Sequence, residues 1–192
     1  MGLAKIGEGT RAMQEMVIYG VSFDLVGKQP IVLLKTADGN KFLPIWIGHS
    51  EAAAILMKLQ GAATPRPLTH DLFTETLSQL EAHVTRVVVT ELRESTFYAL
   101  ITIQQDGGEI EVDSRPSDAI ALAVRAEAPI FADDRVIEES AIEFEGEEVN
   151  EEEIVDEFRK FLDQVSPDEF AAELEEQDEE AFEPEEESEP ED

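Results

Sequence analysis

From Val136 to the last residue, Asp192, the chain holds 27 acidic residues against 2 basic ones, a net charge of minus 25. Like charges at that density repel one another, and so acidic a stretch cannot collapse into a core of its own. Residues 16–135 hold 10 Lys and Arg against 16 Asp and Glu, net minus 6, and residues 1–15 are neutral, so most of the chain's minus 31 lies in its C-terminal part. Folding is therefore concentrated in 120 residues, a length that buries a real hydrophobic core. The expected organisation is an N-terminal stretch over 1–15, one core domain over 16–136, an acidic amphipathic extension over 137–172 and a tail over 173–192. That tail is almost all Glu, Asp and Pro. It has too little apolar surface to offset its ordering entropy and is expected to be disordered.

Composition closes off several chemistries. There is no cysteine, which removes disulfide frameworks, thiolate zinc sites and cysteine nucleophiles. No Walker loop, GxGxxG, HExxH or GxSxG occurs. The first fifteen residues carry no apolar signal core, and no run approaches the roughly 18 apolar residues of a spanning helix, so a cytoplasmic protein without membrane contact is expected. Charge outside the core disfavours nucleic acid as a partner, because phosphate binding rests on clustered Lys and Arg. It suits a protein partner for the tail instead.

The core reads as strands punctuated by helices. Met16–Val26 and Pro30–Thr36 predict strands, and Ala37-Asp38-Gly39-Asn40 supplies a hairpin turn into a third strand over Lys41–Ile47. Ser50 predicts the N-cap of an Ala-rich helix that Gly61 stops. After Pro65 and Pro67, Thr69 or Asp71 caps a second helix running to about Ala82, with Leu72, Phe73, Leu77 and Leu80 on one face. Val84–Leu92, Thr96–Gln104 and Glu109–Asp113 predict three further strands, and Ser117 the cap of a third helix packed through Ala119, Ile120, Ala123 and Val124. A faint internal echo accompanies this order: Ser50-Glu51-Ala52-Ala53 returns as Ser117-Asp118-Ala119-Ile120, each after a hairpin and strand. The expected class is α+β, one domain with a mixed or antiparallel sheet packed by two or three helices. Beyond it, Ile154, Val155, Phe158, Phe161 and Leu162 recur at helical spacing, and Ser166-Pro167 starts another short helical turn. Such an amphipathic pair can dock on the core or on a partner.

Three polar motifs gather around prolines. In Arg66-Pro67-Leu68-Thr69-His70-Asp71, an arginine precedes a helix start whose free amides favour an anion, and His70 is suited to a general base or a metal ligand beside Asp71. The plainer alternative has Thr69 and Asp71 as caps. In Asp113-Ser114-Arg115-Pro116-Ser117-Asp118, the two aspartates suit a divalent cation of the kind that activates water in phosphodiester hydrolysis. Alternatively Asp118 is a first-turn helix acid paired with Arg115. The third motif, Pro44-Ile45-Trp46-Ile47-Gly48-His49-Ser50-Glu51, holds the one tryptophan, which either packs in the core or stacks a nucleobase. His83 reads as exposed and structural.

In this order LPIWIGHSEAAAI, RPLTHDL, STFYALI and SRPSDAIALAVRAEAPI resemble the bifunctional nuclease family of bacteria and plants, over about residues 16–136. FLDQVSPDEF is similar to the extension of actinobacterial members. Family members are described as nucleases on DNA and RNA, so the resemblance implies phosphodiester hydrolysis. On that reading His70, Asp71 and Asp118 are catalytic. Arg66, Arg115 and Trp46 bind substrate, and Asp71, Asp113 and Asp118 hold a divalent cation. Many members carry Gln where this chain has His49, so His49 is given no role. The competing class is a non-catalytic regulatory or assembly module, homo-oligomeric, that takes a small anionic ligand in its loops.

Overall fold

The structure, a computed structural model, describes residues 12–23 and 29–143. The amphipathic extension and tail expected beyond residue 143 lie outside the described residues. Eight strands and four helices follow in the order β1 (Met13–Phe23), β2 (Pro30–Thr36), β3 (Lys41–Trp46), α1 (His49–Leu59), α2 (Thr69–Gln79), β4 (His83–Arg93), β5 (Thr96–Gln105), β6 (Gly108–Ser114), α3 (Pro116–Ala126), β7 (Ile130–Asp133), α4 (Asp134–Ser140) and β8 (Ile142–Glu143). All strands join one mixed sheet in the order β6-β5-β4-β7-β1-β2-β3-β8, and the fold is α+β as expected.

The sheet is two antiparallel meanders, β1-β2-β3 and β4-β5-β6, joined by β7, which runs antiparallel to β1 and parallel to β4. Each meander feeds directly into an 11-residue helix, α1 or α3. The sequence echo is thereby realised in register: Ser50 and Ser117 are second in their helices, Glu51 and Asp118 third. Two tight turns shape the second meander. Glu94 and Ser95 have φ of 49° and 57°, and Asp106 and Gly107 have 51° and 76°. Paired left-handed residues of this kind match the twist of the strands they connect.

Several expected boundaries move, for physical reasons. β1 starts at Met13, three residues early, and its register against β2 shifts between Ile18 and Gly20, an irregularity that simple alternation does not reveal. The N-caps are Gly48, Leu68 and Arg115 rather than Ser50, Thr69 or Asp71, and Ser117, and none of them bonds through its own side chain, although Asp71 reaches back from the third position of α2 to the Leu68 N–H. Pro116, with no N–H to satisfy, opens α3 instead. The folded core also runs past residue 136, since Val136 and Ile137 of α4 are 0 % and 1 % exposed. β7 and β8, four and two residues long, are too short to show a period.

One face of the sheet carries the main core, where Val32, Leu34, Leu43, Ile45, Val87 and Ile101 meet Ile55, Ile120 and Ile137 from the helices. α2 sits differently. It has no buried residue, Leu72, Phe73 and Leu80 are 59 %, 44 % and 58 % exposed, and only Leu77 packs against the core. The face expected to pack is thus largely open, and polar clasps hold this helix. Among the described residues no helix is long and apolar enough to cross a membrane.

Candidate functional site

The two meanders deliver the first turns of α1 and α3 side by side, and the first turn of α2 crosses onto α3. Each helix has a carboxylate at its third position: Glu51, Asp71 and Asp118. Acids there complement the helix dipole, and in this fold they also tie the helices together. Arg115, the N-cap of α3, donates Nε to Asp118 Oδ2 at 2.8 Å and Nη2 to Asp118 Oδ1 at 3.1 Å, a two-pronged pair. The same Nη2 donates to Glu51 Oε1 of α1 at 2.9 Å. From α2, His70 Nε2 lies 3.2 Å from Asp118 Oδ1, with the imidazole side chain 15 % exposed. Glu51, Arg115, Asp118 and His70 therefore form one hydrogen-bonded chain across three helix N-termini.

A second clasp lies deeper. Arg125 of α3, its side chain 4 % exposed, donates Nε to Asp71 Oδ1 at 2.5 Å, Nη1 to the Ala121 carbonyl at 2.8 Å and Nη2 to the Ala54 carbonyl at 3.1 Å. Asp71 Oδ2 also accepts the Leu68 backbone N–H at 2.8 Å. One guanidinium thus locks α1, α2 and α3 together.

Electrostatics follow from these contacts. Burial pushes the Asp118 carboxyl up, but the Arg115 and His70 hydrogen bonds and their charges outweigh it and hold Asp118 below the usual carboxylate range. Burial likewise opposes ionisation of Asp71, and the Leu68 N–H and then Arg125 reverse the balance. Asp118 first, then Glu51, raise the Arg115 guanidinium above its ordinary value. Both aspartates are more acidic folded than at their unfolded value of 3.8. Their stabilisation is therefore complete above that pH and is lost as pH falls through the lower folded values. Thermal melts from about pH 6 to about pH 2 should show wild type losing more stability below 3.8 than Asp118→Asn does. Tail carboxylates titrate in both proteins and cancel in the difference.

Gly48 makes room for this arrangement. A Cβ there would fall 2.1 Å from Glu51 Oε2, the far end of a flexible side chain. The backbone, at φ −72° and ψ 155°, accepts any residue. Gly48→Ala should therefore cost less than about 1 kcal/mol in denaturant unfolding, yet swing Glu51 off Arg115. In a double-mutant cycle, adding Glu51→Ala to Gly48→Ala should change nothing further.

Of the residues singled out in the sequence, His70, Arg115 and Asp118 come together. Asp71 pairs with Arg125 instead. Arg66 is exposed, two residues before the α2 N-cap, and its guanidinium makes no bond among the described residues. Asp113 stands exposed on β6. Trp46 packs with Ile31, Leu33 and Phe42 on the sheet face opposite the helices, the packing alternative. His83 is exposed at the start of β4.

Known proteins resemble this chain in sequence. A sequence profile described as the bifunctional nuclease domain matches residues 32–145. The chain belongs to the bifunctional nuclease domain family. The uncharacterized protein MT1877 of Mycobacterium tuberculosis is 39 % identical over 166 residues, covering 83 % of this chain and 99 % of that protein. Bifunctional nuclease 1 of Oryza sativa subsp. indica is 29 % identical over 109 residues, 55 % of this chain and 33 % of the rice protein. Bifunctional nuclease 1 of Arabidopsis thaliana is 29 % identical over 105 residues, 53 % of this chain and 32 % of its own length. The chain thus spans about a third of these plant proteins. Every residue of both clasps, from Gly48 to Arg125, lies inside the matched bifunctional nuclease domain.

Glu51 and Arg125 complete the site without having been singled out for it. The internal echo is the signal for Glu51, since it aligns that residue with Asp118. Nothing local marks Arg125, whose three partners come from residues 54, 71 and 121.

Proposed function

We propose that this chain hydrolyses phosphodiester bonds of nucleic acid where its three helix N-termini meet. The hydrogen-bonded chain His70–Asp118–Arg115 carries the reading. An ionised carboxylate only accepts, so His70 Nε2 donates to Asp118 and a neutral His70 keeps its lone pair on Nδ1. Nδ1 has no partner among the described residues and takes a proton from the attacking water, while Asp118 fixes the tautomer. The water oxygen bonds to phosphorus as the bond to the leaving oxygen breaks, and the imidazolium or solvent returns a proton to that oxygen. Arg115 Nη1, without a bond among the described residues, and Arg66 donate to phosphate oxygens. The positive ends of the helix dipoles add to the anion's stabilisation.

A divalent cation would supply Lewis acidity. The donors do not fit one as they stand: Asp118 and Glu51 face Arg115, Asp71 faces Arg125, and no group of three His, Asp or Glu suited to a metal forms among the described residues. We assign no step to a metal, and metal dependence is one arm of the test. One observation favours a second reading, a non-catalytic module for a small anion or a protein partner. Two carboxylates on one guanidinium leave Glu51, Arg115 and Asp118 with a net negative charge, which weakens their pull on phosphate.

The test incubates the full chain with labelled single- and double-stranded DNA and RNA, with magnesium, manganese or a chelator. Asp118→Ala, purified identically, controls for contamination. Turnover by wild type and its loss in the variant support hydrolysis. Equal cleavage by both, or none by either, rejects it in favour of the binding module.

A further inference from the structure

The face of β2 and β3 turned away from the helices is buried, yet no described helix contributes to it. Ile31, Leu33 and Phe42 stand there at 0 %, 3 % and 1 % exposure. The helices' apolar residues Ile55, Leu77, Ile120 and Ile137 all belong to the cluster on the other face. Strand alternation accounts for the division, because residues 31 and 33 point opposite to 32 and 34, and 42 opposite to 43. Tyr19, Trp46 and Ile142 pack at the rim, with Tyr19 edge-on to Phe42 at 5.4 Å between ring centroids, and the Lys35 ammonium lies 5.7 Å from the centre of the same Phe42 ring. A strand buried on both faces reads as a continuous apolar run, as Ile31 to Leu34 does, and needs a layer on each side.

We propose that the layer over this face is the chain's own segment 151–164. Three observations select it. The described chain ends at Glu143, beside β3, and Ile142 is itself part of the patch rim. Residues 144–150 span up to about 24 Å when extended, and 14 residues in a helix measure about 21 Å, enough to cross three strands about 4.8 Å apart. Segment 151–164 places Ile154, Val155, Phe158, Phe161 and Leu162 on one helical face, whereas the other stretches outside the described residues offer fewer and more scattered apolar residues: Leu25 and Val26 in 24–28, Met1, Leu3 and Ile6 among glycines in 1–11, Phe144 and Val149 in 144–150, and Val165, Phe170, Leu174 and Phe182 over 165–192. The acidic extension is thereby anchored on the sheet face opposite His70 and Arg115.

Trp46, the one tryptophan, lies in the patch, and the chain has no cysteine to compete for a label. In the full-length chain, Asp156→Cys carrying a short-range fluorescence acceptor should quench Trp46 strongly by energy transfer, independently of protein concentration. Transfer no stronger than from the same label on Ser188→Cys would overturn the proposal. So would transfer that grows with concentration, which reports a second copy's segment. Independently, Phe158→Asp combined with Phe161→Asp should shift Trp46 emission to the red and open it to acrylamide, with amide exchange in β4 and β5 unchanged. Emission identical to wild type rejects the segment as the cover.

Discussion

His70→Ala should lower phosphodiester hydrolysis by a factor on the order of 10³, the usual worth of a positioned general base. The variant leaves the two-pronged Arg115–Asp118 pair and the Arg115–Glu51 bond in place, so the phosphate donors are undisturbed, and α2 keeps its Asp71–Arg125 clasp. What disappears is the Nδ1 lone pair. Added imidazole should restore part of the lost rate to His70→Ala, because a free base can occupy the vacated volume, and should restore none to an Arg115→Ala protein. Asp118→Asn gives a different signature. An amide no longer dictates the imidazole tautomer, and it also weakens the hold on Arg115, so both turnover and substrate affinity should fall. Steady-state kinetics on a labelled oligonucleotide separate the two: His70→Ala moves kcat with little change in KM, whereas Asp118→Asn moves both. A His70→Ala protein that cleaves at the wild-type rate removes this histidine from the chemistry.

The contrast between what local pattern reveals and what it hides runs through this site. The strands of both meanders are legible because each alternates or runs apolar between strong turn signals, and Asp106-Gly107 is such a signal. His70, Arg115 and Asp118 stand out because each lies within three residues of a proline at or just before a helix start. Helix starts are less legible, since serine suggests a cap wherever it precedes an Ala-rich run. Here Ser50 and Ser117 sit inside the first turn while the third-position acids carry the polar contacts. The open face of α2 misleads for a related reason. Leu72, Phe73 and Leu80 have the spacing of a packed stripe, but a helix held by Asp71–Arg125 and His70–Asp118 need not bury them. Contacts between residues 48 or 54 positions apart leave no local period to read.

Arg125 tests whether those long-range contacts carry stability. Its guanidinium is almost fully buried and bonds to three helices at once, whereas the Arg115 side chain is 65 % exposed. Arg125→Met keeps an apolar stem of similar length and removes all three hydrogen bonds. Asp71 is 34 % exposed and retains the Leu68 N–H, so it rehydrates instead of being left as a stranded buried charge. The expected cost is therefore that of lost charge-assisted hydrogen bonds, about 2 to 3 kcal/mol, below the larger penalty of an unpaired buried ion. Arg115→Met, at an exposed pair, should cost no more than about 1 kcal/mol. Denaturant unfolding of the two variants decides the ranking, and equal losses would deny the deeper clasp its structural weight. Arg125→Lys is an informative third protein, because one ammonium cannot aim at Asp71, Ala54 and Ala121 in the planar fork that arginine presents. The effect should also be local. α2 has no buried residue and depends on its clasps, so its amides should exchange faster in Arg125→Met than those of α3, which keeps seven buried residues. Since α2 carries His70, loosening it should reduce hydrolysis even though Arg125 touches no substrate, and the loss should appear in kcat before KM.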